Sequence, residues 1–142
     1  RQHDDCPVFR FDYRIEKITS LDGQEEKETF ELKGKRLLLS SGIANPQSFS
    51  KLLKLEEGCP VAEMRFEDHH NYSESSIRNM IEQGNNTPHD FWLTTEKDAV
   101  KLQSFQQQLK QLWVVKMKIQ PDPEWPAFFN RFLDGLSKTS LN

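Results

Sequence analysis

The sequence predicts an α/β fold: a Rossmann-like layered domain with a mainly parallel sheet, preceded by a β-hairpin. Three observations predict it. From Lys35 onward, short apolar runs alternate with segments of helical periodicity. Polar capping residues stand where one pattern gives way to the next. Before Lys35, apolar and polar residues alternate one by one, the period of a half-buried strand. Strands that alternate with helices call for parallel pairing and right-handed crossovers.

In chain order, Phe9, Phe11, Tyr13 and Ile15 alternate with Arg10, Asp12, Arg14 and Glu16 in the first strand of the hairpin. Asp22-Gly23 makes the turn. The return segment, Glu25 to Lys33, is highly charged and reads as an exposed edge or a hinge. Arg36 to Ser40 (RLLLS) is a buried strand. Gly42-Ile43-Ala44-Asn45-Pro46 follows as a loop, with Asn45 as N-cap and Pro46 at the first helical position. Phe49, Leu52 and Leu53 mark one face of that helix. Val61 to Phe66 is the next strand. Ser73 then caps a helix that turns Ile77, Met80 and Ile81 to the core and ends at Gly84. Phe91 to Thr94 is a strand, and Thr95-Glu96-Lys97-Asp98 has the form of a capping box opening a helix through Val100, Leu102 and Phe105. Trp113 to Ile119 is the last strand. Phe128, Phe129, Phe132, Leu133 and Leu136, with Trp125, stripe a closing helix as core residues rather than a membrane anchor.

Bulk properties narrow the function. With 142 residues the chain is long enough to bury a core but too short for a multidomain assembly. A net charge of -3 and a pI near 5.8, without a basic run, give no footprint for nucleic acid. Cys6 and Cys59 lie far apart without a CxxC pair, which fits a reducing compartment and supplies neither a zinc knuckle nor a redox dithiol. No apolar run approaches the roughly 20 residues that cross a bilayer. The first residue is Arg1 rather than methionine, so the sequence reads as part of something longer or processed.

In a parallel sheet every strand-to-helix loop emerges at the carboxyl edge, where open α/β sheets place their ligands. GIANP, EDHHNYS and TTEKD therefore share one rim. In the second loop Asp68 can orient an imidazole of His69 or His70 in an ordinary polar loop. The same residues suit a metal, and DHH resembles the signature of the DHH phosphoesterases. That family also needs an Asp-x-Asp motif, which Asp4, Asp5, Asp12 and Asp22 do not supply, and His3 and His89 add no ligand spacing. No metal is expected. A histidine with a carboxylate partner can also move a proton at neutral pH. In the third loop the cap accounts for Thr95 and Asp98, while Lys97 and Lys101, near a helix N-terminus, suit a phosphate. A ligand-binding α/β module without catalysis remains an alternative to either enzyme.

Taken together and in this order, SSGIANPQSFSKLL, FEDHHNYSESSIRNMI and FWLTTEKDAVKL resemble the C-terminal region of the tetraacyldisaccharide 4'-kinase family of lipid A biosynthesis. The resemblance runs from VFRFDYRI almost to the end of the chain, and TEKDAVK after a strand is its most specific piece. It implies ATP-dependent phosphoryl transfer, with Mg2+, to the 4'-hydroxyl of a tetraacylated glucosamine disaccharide 1-phosphate at the cytoplasmic face of the bacterial inner membrane. It also implies two α/β lobes joined by a β hinge, the first lobe carrying the P-loop. No G-x-x-x-x-G-K-[ST] motif occurs here, since Gly34 alone precedes a lysine and Arg36 follows that lysine. By the resemblance, residues 1–34 are the hinge hairpin and 35–142 the C-terminal lobe, soluble, while the P-loop lobe carries most magnesium ligands and the peripheral membrane contact. The lipid A disaccharide precursor is the acceptor. His69 takes the catalytic role with Asp68, and Thr95 and Lys97 are the nucleotide candidates. His70 stands where the family varies.

Overall fold

Each apolar run becomes a strand and each 3.6-period stretch a helix in the computed structural model, which describes residues 6–140 and side chains as far as Leu136. The strands are β1 (Phe11–Ser20), β2 (Glu26–Lys27), β3 (Arg36–Ser41), β4 (Cys59–Arg65), β5 (Phe91–Thr95) and β6 (Leu112–Pro121). The helices are α1 (Pro46–Leu55), α2 (Glu74–Asn86), α3 (Glu96–Leu102) and α4 (Trp125–Ser140). The six strands form one sheet in the order β2-β1-β6-β5-β3-β4. β3 pairs parallel with β4 and β5, and β5 pairs parallel with β6, so the predicted mainly parallel α/β layer is what forms. Among the described residues the chain divides into two compact units, Ile15–Met117 and a smaller one made of the segment up to Arg14 with the segment from Lys118 onward.

In the larger unit, the run Leu37-Leu38-Leu39 feeds both faces of the sheet, because successive side chains of a strand point oppositely. Leu37 and Leu39 pack with Phe49, Leu52 and Leu53 of α1. Leu38 packs on the other face with Ile77 and Met80 of α2 and Leu102 of α3. Each of these side chains is at most 8% exposed, and each fully buried one stabilises the fold by about 2 kcal/mol. β4 is an edge strand, which is why it tolerates Pro60; a register shift opposite Leu37 and Leu38 sits beside that proline. The N-cap residues are those predicted: Asn45 accepts from the Ser48 N–H, Ser73 from Ser76 and Thr95 from Asp98. The capping box at Thr95 is only half made, because the Asp98 carboxylate goes to the Gly42 N–H and to the Tyr72 and Thr95 hydroxyls.

Several local expectations fail. The alternation in the first strand does not bury Phe11 or Tyr13, which are exposed, and Phe9 precedes β1; the strand turns Ile15 and Ile18 inward. The return segment of the hairpin keeps only two residues in β2, then forms a 3-10 turn (Thr29–Leu32) that buries Leu32 completely; one leucine among charges carries this segment into the core. Gly84 does not end α2 but lies inside it, where a Cβ would sit 3.5 Å from the Trp92 ring, and the helix runs on to Asn86. Val100 is 75% exposed, so α3 turns Ala99 and Leu102 inward instead. Finally, the stripe of α4 is not core: Phe129, Phe132, Leu133 and Leu136 are all exposed. In the smaller unit, Trp125 and Phe128 pack against Phe9, and Trp125 also meets Phe11, which accounts for that end of the helix alone.

Candidate active site

The three rim loops meet on one buried carboxylate. Asp98, 1% exposed, comes from the first turn of α3. Its Oδ1 accepts from the Gly42 N–H (3.0 Å) and the Tyr72 hydroxyl (2.9 Å), and its Oδ2 accepts from the Thr95 hydroxyl (2.6 Å) and again from Gly42 (3.1 Å). The loop after β3, the histidine loop and the start of α3 are thereby fastened to each other. Gly42 makes this possible: a Cβ there would stand 3.1 Å from the Glu67 carbonyl and 3.2 Å from Asp98 itself. Burial first, then the charge and hydrogen bond of Asp98, push the Tyr72 hydroxyl far above its usual range, so it stays protonated and donating.

The histidine loop is a tight turn rather than an extended segment. The His70 N–H donates to the Glu67 carbonyl at 3.0 Å, and His69, at the third position, has φ of 64°. Positive φ at that position is the geometry of a type II turn, uncommon for a residue with a side chain but several-fold enriched for histidine. The two imidazoles consequently part company. His70 stacks on Phe66 at 4.8 Å between centroids, meets the edge of Tyr72, and has Nε2 3.3 Å from the Ser76 hydroxyl. His69 stands in solvent with its side chain 80% exposed.

Asp68 lies between His69 and α3. Its Oδ1 accepts from Lys97 Nζ at 2.9 Å and from the His69 N–H at 3.1 Å, while Oδ2 is 3.5 Å from His69 Nε2. The hydrogen bond from Lys97 leads in holding the Asp68 carboxyl below the usual carboxylate range, so the group is an anion at neutral pH. At His70 itself, Lys101 Nζ donates to the backbone carbonyl at 3.1 Å.

Asp68, His69 and Lys97 are thus brought together. Thr95 sits apart from them, with its hydroxyl engaged by Asp98 as donor and by the Asp98 N–H as acceptor. For Thr95 or Lys97 to meet a nucleotide, each would exchange its present partner. Mg2+ finds no donor set here: among the described residues no three His, Cys, Asp or Glu side chains converge, and Asp68 faces a lysine. His3, Asp4 and Asp5 lie outside the described residues. What sequence reasoning missed is the role of Asp98 and Tyr72. The capping pattern accounts for the Asp98 position, but its carboxylate turns to partners 26 and 56 residues away, which no local spacing announces.

Among known proteins, the family described as Tetraacyldisaccharide-1-P 4'-kinase matches residues 1–136. The tetraacyldisaccharide 4'-kinase of Bdellovibrio bacteriovorus is 30% identical over 112 residues, covering 79% of this chain and 33% of that protein. That of Geobacter metallireducens is 34% identical over 101 residues, covering 70% of this chain and 30% of that protein. A crystal structure of the "apo" form of LpxK from Aquifex aeolicus, in complex with ATP, superposes with a TM-score of 0.56 at 25% identity, covering 87% of this chain and 35% of that one. The chain therefore spans about a third of the length of these relatives. The match extends over nearly every residue and agrees with the likeness carried by the three rim loops, so the chain belongs to the tetraacyldisaccharide-1-P 4'-kinase family.

Proposed function

We propose that this chain is the second lobe of an ATP-dependent lipid kinase and brings His69, oriented by Asp68, to the 4'-hydroxyl of tetraacyldisaccharide 1-phosphate. The observation that carries the reading is the division of the histidine pair: one imidazole is packed away and the other is held out on a fixed turn beside an anionic carboxylate. Phosphoryl transfer asks mainly for positioning and charge stabilisation, with a modest contribution from the group that orients or deprotonates the hydroxyl. The acceptor oxygen attacks the γ-phosphorus, the bond from that phosphorus to the ADP oxygen breaks, and the hydroxyl proton passes to His69. The 3.5 Å separation from Asp68 Oδ2 is longer than a strong hydrogen bond, so orientation of the ring by Asp68 requires this contact to shorten in the reacting complex. With Asp68 holding a proton on Nε2, the lone pair on Nδ1 faces the acceptor.

The phosphates of ATP and its Mg2+ belong, in this reading, to a P-loop lobe of the same protein, which also makes the peripheral contact with the cytoplasmic face of the inner membrane. No helix among the described residues is long and apolar enough to cross a membrane. Without a P-loop partner the chain transfers no phosphate.

In the complete enzyme, His69→Ala lowers kcat by roughly 10²-fold or more and leaves KM for ATP nearly unchanged, as expected for loss of a hydroxyl-orienting base. His70→Ala leaves kcat within a few-fold but lowers the melting temperature, because it empties the slot between Phe66 and Tyr72. Equal, small kinetic effects from both changes would return the pair to ordinary loop residues.

A further inference from the structure

The conformation of His69 carries a cost that the contacts within its own loop offset only in part. Positive φ on a residue with a side chain costs of order 1–3 kcal/mol and persists only where the surroundings over-determine it. The turn supplies one hydrogen bond, from the His70 N–H to Glu67. Asp68 Oδ1 adds a local bond from the His69 N–H, and the Ser76 hydroxyl of α2 lies 3.3 Å from His70 Nε2. Three further polar restraints come from α3. Lys97 holds the Asp68 side chain just before His69, Lys101 holds the His70 carbonyl just after it, and Asp98 holds the Tyr72 hydroxyl at the end of the loop.

The helix period puts these grips in line. Lys97 and Lys101 are four residues apart, one turn along the same face, so their ammonium groups reach neighbouring points of a segment lying across that face. Asp98, one residue on, points inward and anchors the far end. Both lysines act on oxygens that the loop itself presents, one a carboxylate and one a carbonyl. A phosphate-binding role would need them free.

We propose that the first turns of α3 are a template that sets the position of His69, with Lys97 and Lys101 as positioning residues. This rests on the reading of His69 as the group that meets the acceptor hydroxyl. Lys97 fixes the carboxylate that orients the imidazole, and Lys101 clamps the backbone on its other side. Neither touches the nucleotide.

The test uses the complete enzyme carrying Lys97→Met, Lys97→Arg or Lys101→Met, with melts to show that each variant is folded. Lys97→Met and Lys101→Met should each lower kcat by about five- to tenfold with KM for ATP unchanged, and Lys97→Arg should recover most of the loss by keeping a donor on Asp68. In a His69→Ala background, Lys97→Met should cost no more than about twofold further, because residues that act as a unit are not additive. Hydrogen exchange at the peptide covering 66–72 should quicken by about tenfold in both methionine variants, since the His70 N–H reports the turn directly. Unchanged exchange overturns the template whatever the kinetics show. A Lys97→Met loss that falls on KM for ATP and repeats undiminished in the His69→Ala background overturns it in favour of a nucleotide contact. Faster exchange together with a harmless His69→Ala leaves the template standing and removes the catalytic role of His69 instead.

Discussion

β3 is closed at each end by an aspartate flanking β5, and the two closures are built on opposite principles. At the amino edge, Asp90 accepts from the Arg36 backbone N–H at 2.8 Å and pairs with the same residue's guanidinium at 3.1 Å. At the carboxyl rim, Asp98 accepts from the Gly42 N–H and from two hydroxyls, with no cation among its hydrogen-bond partners. Asp90 and Arg36 are open to water, whereas Asp98 is 1% exposed. The same contact, a carboxylate on the backbone at a strand end, is thus a surface fastening on one side and a buried junction of three loops on the other. Surface ion pairs contribute little because water and salt screen them. A buried acceptor commits its donors, each of which is left stranded if it goes. The functional rim is the end where the fold takes the more demanding solution.

The largest effect expected from breaking this contrast is at Asp98. Asp98→Ala strands the Gly42 N–H and the Thr95 and Tyr72 hydroxyls in a buried space and should destabilise the chain by about 3 kcal/mol. That corresponds to a fall in melting temperature of roughly 10 °C for a chain of this size. Asp98→Asn keeps the shape but turns one acceptor into a donor facing donors, so it should recover only part of the loss. A melt within a degree or two of the parent would show that the junction is not a junction.

Most of the frame of this site was legible because its causes are local. Asn45-Pro46, Ser73 and Thr95 announce helix starts by the chemistry of their own side chains, and the run Leu37-Leu38-Leu39 announces a strand buried on both faces. Placing three strand-to-helix loops at one rim follows from parallel pairing alone. The misses share a different cause. Leu32 looks like part of a solvated segment until tertiary packing takes it into the core, and Gly84 looks like a stop until the Trp92 ring is laid against it. The apolar spacing of α4 declares an amphipathic helix but not what covers it, and Phe129, Phe132, Leu133 and Leu136 remain exposed. At the site itself, the letters DHH do not separate two adjacent histidines and only the family resemblance singles out His69; the turn, with His69 at positive φ, gives the physical difference between them.

A smaller effect sharpens the comparison at Tyr72. Tyr72→Phe keeps the ring against Phe66 and His70 but removes one donor from Asp98, leaving Gly42 and Thr95 to hold it. The expected cost is about 1 kcal/mol, well below that of Asp98→Ala. The sign of its pH dependence is also fixed. Burial raises the folded pKa of Tyr72 above its unfolded value, so its contribution is fully present below about pH 10 and is lost as pH rises further. Melts should therefore show the parent and Tyr72→Phe converging in strong alkali, and a gap that widens there would contradict the assigned direction.

The smallest effect belongs to the open closure. The hydrogen bonds from the Arg36 side chain and backbone hold the Asp90 carboxyl down to about 2, so the group is depressed in the folded chain. A depressed carboxylate contributes stability that is present above its unfolded pKa, near 4, and is lost as pH falls through its folded value. Asp90→Asn retains an acceptor for the Arg36 N–H and gives up only the charge, which water and salt already weaken. At neutral pH it should lower the melting temperature by less than Tyr72→Phe does, and 1 M salt should shrink even that difference. Between pH 4 and pH 2 the parent should lose its small advantage over Asp90→Asn, while the gap between the parent and Asp98→Ala should remain larger throughout. Melts of the three proteins across that range decide the matter. An Asp90→Asn cost that matched Asp98→Ala at neutral pH, or that persisted unchanged to pH 2, would mean that exposure does not separate the two ends of β3.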